Sequence, residues 1–94
     1  MPAAASRIPI TRIQTGLRLE KRMVKVLKAV AEYYDMSMSA LVEEIVLHAF
    51  EGPGAFAFGK PAVKRIREFR RLYGMDYGVH DSPRFAEKPA PARR

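Results

Sequence analysis

Hydrophobic and polar positions change period along this chain. From Thr11 to Leu19 they alternate: Ile13, Thr15, Leu17 and Leu19 at odd positions, Arg12, Gln14, Gly16 and Arg18 at even ones. Period two predicts a short strand with one buried and one exposed face. From Glu20 to Tyr34 the apolar spacing becomes three and four, through Met23, Val26, Leu27, Val30 and Tyr34. Lys21, Arg22, Lys25, Lys28 and Glu32 fill the remaining positions, so an amphipathic helix is predicted, ending near Asp35. Ser37, with Ser39 second, is the expected N-cap of a second helix over residues 38–50. Neither completes a capping box, because no Glu or Gln stands three residues later. This second helix is apolar on most sides (Leu41, Val42, Ile45, Val46, Leu47, Ala49, Phe50), with Glu43, Glu44 and His48 confined to one narrow stripe.

The segment EGPGAFAFG at 51–59, carrying Phe56 and Phe58, is a Gly/Pro hinge. Beyond it, residues 60–73 predict a third helix. Val63, Ile66, Phe69 and Leu72 or Tyr73 line one face, and Lys64, Arg65, Arg67, Arg70 and Arg71 the other. Pro61 suits the first turn and Gly74 the stop. The expected organisation is therefore a loose arm at 1–10, a dense strand–helix–helix unit at 11–50, the hinge at 51–59, a basic helix and turn at 60–78, and a Pro-rich tail at 79–94 expected to be disordered. The fold class is mostly α with one short strand.

A single short strand cannot stand alone, and no second strand of comparable quality follows. The simplest solution is pairing with the same strand of a second copy, which two-fold symmetry makes antiparallel. A helix apolar nearly all round also asks for burial that so short a chain does not supply. At 94 residues, a lone domain buries only about 60% of the surface its unfolded chain exposes. The pattern thus predicts an obligate dimer, with Leu17, Leu19, Leu27, Val30, Leu41, Ile45, Val46 and Leu47 in its core.

Charge adds a partner. The chain carries 17 Lys+Arg against 10 Asp+Glu, a formal net charge of +7. Residues 1–50 hold seven basic and five acidic groups, residues 51–94 ten and five, so the C-terminal half is the more basic. Such a balance points to a polyanion, most economically nucleic acid. The absence of cysteine removes disulfides, thiolate zinc sites and cysteine nucleophiles together. No apolar run approaches the roughly 20 residues of a membrane span, and the N-terminal stretch does not read as a secretory signal. A cytoplasmic protein with no membrane partner is the expectation.

Strand, helix, Ser-containing turn and apolar helix, in that order over residues 11–50, resemble the ribbon-helix-helix family of DNA-binding proteins, of the Arc and MetJ repressor type. The residues carrying the likeness are LRL at 17–19 before the first helix, the AEYYDMSMSALV junction at 31–42, and the apolar second helix. The resemblance implies an intertwined homodimer whose antiparallel ribbon enters the major groove. It places Gln14, Gly16 and Arg18 at base-facing positions, with Arg12 at the edge. Gln matches adenine N6 and N7, and Arg pairs with guanine O6 and N7. Gly16 departs from the family's usual polar side chain. The phosphate clamp implied is Ser37, Met38 and Ser39 at the second helix's N-terminus, with Lys21 and Arg22 adding phosphate contacts. Arg7, Lys64, Arg65, Arg67, Arg70 and Arg71 are candidates for additional backbone contacts. The basic face of the third helix has two other readings, a solvated surface and, behind both that and the DNA contact, a site for an acidic protein or membrane surface.

Three apparent motifs carry no chemistry on this reading. Gly54 to Lys60 matches GxxxxGK, but Pro61 stands where Ser or Thr should hold magnesium, and no strand precedes it. His80, Asp81 and Ser82 are adjacent, which a catalytic triad's geometry forbids. His48, four residues after Glu44, reads as a surface pair. No catalytic residue, metal site or cofactor is expected.

The first function hypothesis is a homodimeric sequence-specific regulator, a repressor, with tetramers on DNA left open. The second is the antitoxin of a toxin–antitoxin pair, against which the tail's own helix and basic charge argue. The third is a DNA-processing or architectural accessory protein. The fourth is a protein-interaction module with no DNA role. An enzyme is the least favoured class.

Overall fold

Glu20 and Ser37 start the first two helices through their side chains. In the computed structural model, which describes residues 6–51 and 59–88, helix α1 runs Lys21–Tyr33 and the Glu20 carboxylate accepts the Met23 amide at 3.1 Å. Helix α2 runs Met38–Glu51, and the Ser37 hydroxyl accepts the Ala40 amide at 3.0 Å. Between them the chain turns within a few residues. The Asp35 amide reaches the Glu32 carbonyl (3.1 Å) and the Met36 amide the Ala31 carbonyl (2.9 Å), the paired bonds of a Schellman stop. Asp35 holds the left-handed position, φ 56°, that Gly or Asn usually fills. Helix α3 runs Lys60–Leu72 with Pro61 in its first turn, and ends on Gly74 at φ 68° with the same bond pattern.

All three helices lie where the periodicity places them. The strands do not. Residues 11–19 form no strand within the chain. Strand β1 is Ile8–Ile10, at the end of the expected arm, and pairs in parallel with β2, Phe85–Glu87, inside the expected disordered tail. Ile8 stands against Phe85 and Ile10 against Glu87. A 3-10 turn at Ser82–Arg84 leads into β2. Residues 1–5, 52–58 with Phe56 and Phe58, and 89–94 lie outside the described residues, as does most of the Gly54–Lys60 motif.

Helix α2 is the centre of the packing, touching α1, α3 and the 3-10 turn. Among the described residues, the buried hydrophobic side chains are Ala31, Leu41 and Leu47 alone. The apolar stripes are wider than the chain can cover. On α1, Val24, Leu27, Val30 and Ala31 are partly or fully covered, while Met23, Val26 and Tyr34 stay open. Of the expected dimer-core residues, Leu41 and Leu47 are buried within the protomer. Leu17, Leu19, Ile45 and Val46 are exposed, and Leu27 and Val30 are half-buried.

Ionic bonds fasten the C-terminal segment. Arg70 is turned inward, donating to Glu51 at 2.8 Å and to the Tyr77 carbonyl. Glu51 also accepts the Val79 amide, and a Cβ at Gly78 would come within 2.6 Å of its Oε1, so glycine is what lets the two approach. Asp81 accepts the Gly78 amide (2.6 Å) and Arg84 (2.9 Å), and Arg84 reaches back to the Ser6 hydroxyl and carbonyl (both 2.9 Å). Arg70 first, then the Val79 amide, holds the Glu51 carboxyl below its ordinary range against the opposing cost of burial. The Gly78 amide, then Arg84, does the same for Asp81. A carboxyl depressed in the folded state contributes stability above its unfolded value and loses it as pH falls through the folded one. Urea midpoints should therefore drop on acidification below about pH 4. Glu51→Gln should be less stable at neutral pH and show a shallower acid limb; an unchanged limb would remove Glu51 from the account.

Candidate nucleic-acid interface

The alternating segment 11–20 leaves β1 and runs to the N-cap of α1 with no strand partner among the described residues. Its apolar positions are uncovered: Ile13 is 80% exposed, Leu17 76% and Leu19 48%. Its polar positions, Gln14, Gly16 and Arg18, are exposed as well. A Cβ at Gly16 would meet nothing within 4 Å, so no steric demand inside the protomer requires glycine there. Both faces of the segment are thus available, one apolar and one polar.

Arg12 differs from the other base-facing candidates. Its Nε and Nη2 donate to the two oxygens of Glu43 (both 2.8 Å), and its Nη1 donates to Glu87 (2.8 Å). This fork ties the end of the segment to α2 and β2 at once, a geometry that a planar guanidinium provides and a lysine does not. Glu43 first, then Glu87, raises the Arg12 pKa above its ordinary value. Alternation along the segment marks Arg12 as a polar position but carries no sign of either carboxylate, which come from residues 31 and 75 places away.

Thr11, Arg12, Ile13 and Thr15 line one shallow groove together with Met38, Ser39, Val42 and Glu43. The fold therefore brings the start of the alternating segment against the N-terminus of α2, uniting Arg12 with Met38 and Ser39 from the expected site. The Met38 and Ser39 amides have no hydrogen-bond partner among the described residues, and the Ser37 hydroxyl is occupied by the Ala40 amide. These amides and the α2 dipole offer partial positive charge to an anion. Lys21 and Arg22 are exposed at the start of α1, Arg22 sharing Glu20 at 2.9 Å. Arg7 is exposed beside β1.

The basic candidates on α3 separate by role. Arg70 is a fastening residue, and Arg65 pairs with Glu68 one turn on at 3.0 Å. Lys64, Arg67 and Arg71 are exposed and have no acidic partner within ion-pair distance among the described residues. The same holds for Lys60, which the amphipathic reading of the third helix passed over.

The histidines form a loose pair. The His48 and His80 ring centroids are 6.5 Å apart and edge-on, and His48 Nδ1 lies 3.0 Å from the Glu44 carbonyl oxygen rather than its carboxylate. Ser82 donates to Glu44 at 3.4 Å. No group of three His, Asp or Glu side chains among the described residues is placed to hold a metal. No described helix is long and apolar enough to cross a membrane. The chain matches no protein-family model, no curated protein and no solved structure.

Proposed function

We propose that this protein is a homodimeric, sequence-specific double-stranded DNA-binding protein, a transcriptional repressor of ribbon-helix-helix type. The observation that carries the reading is the segment 11–19: it alternates, has no strand partner among the described residues, and leaves Ile13 and Leu17 uncovered. Pairing with its two-fold mate would give its backbone hydrogen bonds, turn Ile13, Leu17 and Leu19 toward the helices, and present Gln14, Gly16 and Arg18 outward as a two-stranded ribbon. Such a ribbon fits the major groove. The Met38 and Ser39 amides at the start of α2 would hold a backbone phosphate and set the ribbon's register.

Arg12 takes a supporting part on this reading. Its fork to Glu43 and Glu87 anchors the ribbon's end to the helical layer, leaving base reading to Gln14 and Arg18.

Selection of bound sequences from random duplex DNA tests the proposal directly. The wild-type chain should enrich a palindromic motif. Gln14→Ala and Arg18→Ala should each relax it, at a cost of about 1–3 kcal/mol per position read. Enrichment of nothing, with salt-sensitive binding untouched by either substitution, would refute base reading by the ribbon.

A further inference from the structure

Successive residues of an α-helix turn by about 100°, so Lys60, Lys64, Arg67 and Arg71 fall within about 60° of arc along roughly 16 Å of α3. All four are exposed, and none has an acidic group within 4.0 Å among the described residues. The rest of the helix behaves otherwise. Ala62, Val63, Ile66 and Arg70 are the partly covered positions and form its packed side. Arg65 has the i,i+3 carboxylate partner expected of an ordinary solvated helix surface. The stripe is also unfavourable to the free protein. Like charges three and four residues apart repel, and Lys60 sits in the first turn, where the helix dipole disfavours a cation and no acidic residue offsets it.

We propose that this stripe is a second nucleic-acid contact, one that binds the phosphate backbone of duplex DNA without regard to sequence. Each DNA strand carries one phosphate charge per about 3.4 Å of helix axis, so a ridge of about 16 Å faces some five phosphates with four cations. Toward its C-terminal end, Arg67 and Arg71 border a shallow groove with Arg70, Gly74, Met75 and Asp76. The exposed apolar side chains of α3 are elsewhere: around the helix from Lys64, the nearest stripe residue, Leu72 lies about 80° and Phe69 about 140°, and both are open to solvent. A lipid surface taking those side chains would turn the four cations away from its headgroups. A duplex uses the stripe alone. This contact does not depend on base reading by residues 14–18.

Fluorescence anisotropy of the full chain on duplex DNA of scrambled sequence, from about 50 to about 200 mM salt, measures the contact as a slope of log affinity against log salt. The variant K60Q/K64Q/R67Q/R71Q should have a slope shallower by about three to four, with each single substitution contributing about one. Its helical content and oligomeric state, checked by circular dichroism and light scattering, should match the wild type. The control K25Q/K28Q/R65Q/K88Q changes net charge equally and should move the slope by less than about one. Equal effects of the two variants would mean diffuse charge and overturn the proposal, as would an unchanged slope in the stripe variant. Tighter binding to phosphatidylserine vesicles or to polyglutamate than to duplex DNA would overturn it in favour of a membrane or an acidic protein. Failure of the ribbon reading is distinguishable: Arg18→Ala would leave the stripe's share of the slope in place, and the stripe variant would still enrich whatever motif the wild type selects.

Discussion

Leu47→Asp should leave the protein unfolded at neutral pH and room temperature. Leu47 is the most buried hydrophobic side chain described, 2% exposed. It stands on the inner side of α2, in a crevice shared with Met75, Tyr77 and Phe85. These residues belong to the returning segment that ends in β2, so Leu47 joins the helical layer to the fastened C-terminal chain. Truncating a buried leucine to alanine costs about 2–5 kcal/mol. A carboxylate there adds the penalty of an unpaired charge in an apolar site. With only Ala31 and Leu41 otherwise buried among the described residues, the protomer has little surplus to absorb it. Leu47→Met, which keeps the volume, should cost under about 1.5 kcal/mol. Chemical denaturation followed by far-ultraviolet circular dichroism reads both variants against the wild type. Near wild-type stability of Leu47→Asp would place this side chain outside the core.

On the proposed ribbon dimer, Leu17→Asp should give a weakly associating or unfolded chain. The logic is the reverse of that for Leu47. Leu17 is 76% exposed in the protomer, so a protein that worked as a monomer would tolerate aspartate there at negligible cost. If the ribbon forms, both copies of Leu17 are covered. Losing that burial costs about 1.5–3 kcal/mol per copy, before counting two carboxylates brought into an apolar layer. The two-fold doubles the effect, which weakens association by at least about 100-fold. Because folding and association are linked in an obligate dimer, apparent stability should fall too and become concentration-dependent. Sedimentation or light scattering across a dilution series decides it. Equal behaviour of Leu17→Asp and wild type, both monomeric, would exclude an intertwined ribbon.

The pair of substitutions separates two kinds of core in one chain. Leu41 and Leu47 are covered by the protomer itself, while Leu17, Leu19, Ile45 and Val46 are not. Periodicity does not tell these apart, since an apolar position reads the same whichever chain buries it. Residues named together from sequence as one dimer core therefore divide in the structure into an inner set and an open set. In the proposed dimer, the open set is what a second copy would cover.

The helices were legible in the sequence to within a residue or two. Their signals are local: spacing of three and four, a serine before α2, a proline opening α3 and a glycine closing it. Hydrogen bonds four residues apart make a helix a property of the segment that forms it. The strands were not legible, because a strand exists only with its neighbour. The alternation at 11–19 is real, but none of the described residues pairs with it. Ile8–Ile10, too short to show a period, becomes a strand because Phe85–Glu87 arrives beside it from the far end of the chain.

Side-chain roles followed the same division. That residues 64–71 were basic was plain from composition. That Arg70 turns inward to Glu51, Arg65 spends its charge on Glu68, and Arg67 and Arg71 remain open with Lys60 and Lys64 was decided by packing. Arg12 reads as one more polar position in an alternating segment until the fold sets Glu43 and Glu87 around its guanidinium. The sequence by itself determined the helices, the Ser37 cap, the charge and the surplus of apolar surface, all of which depend on residues within a turn or two of one another. Only the tertiary structure decided which strand pairs, which arginine is structural and which leucine the protomer covers, because each of those depends on a contact between distant parts of the chain.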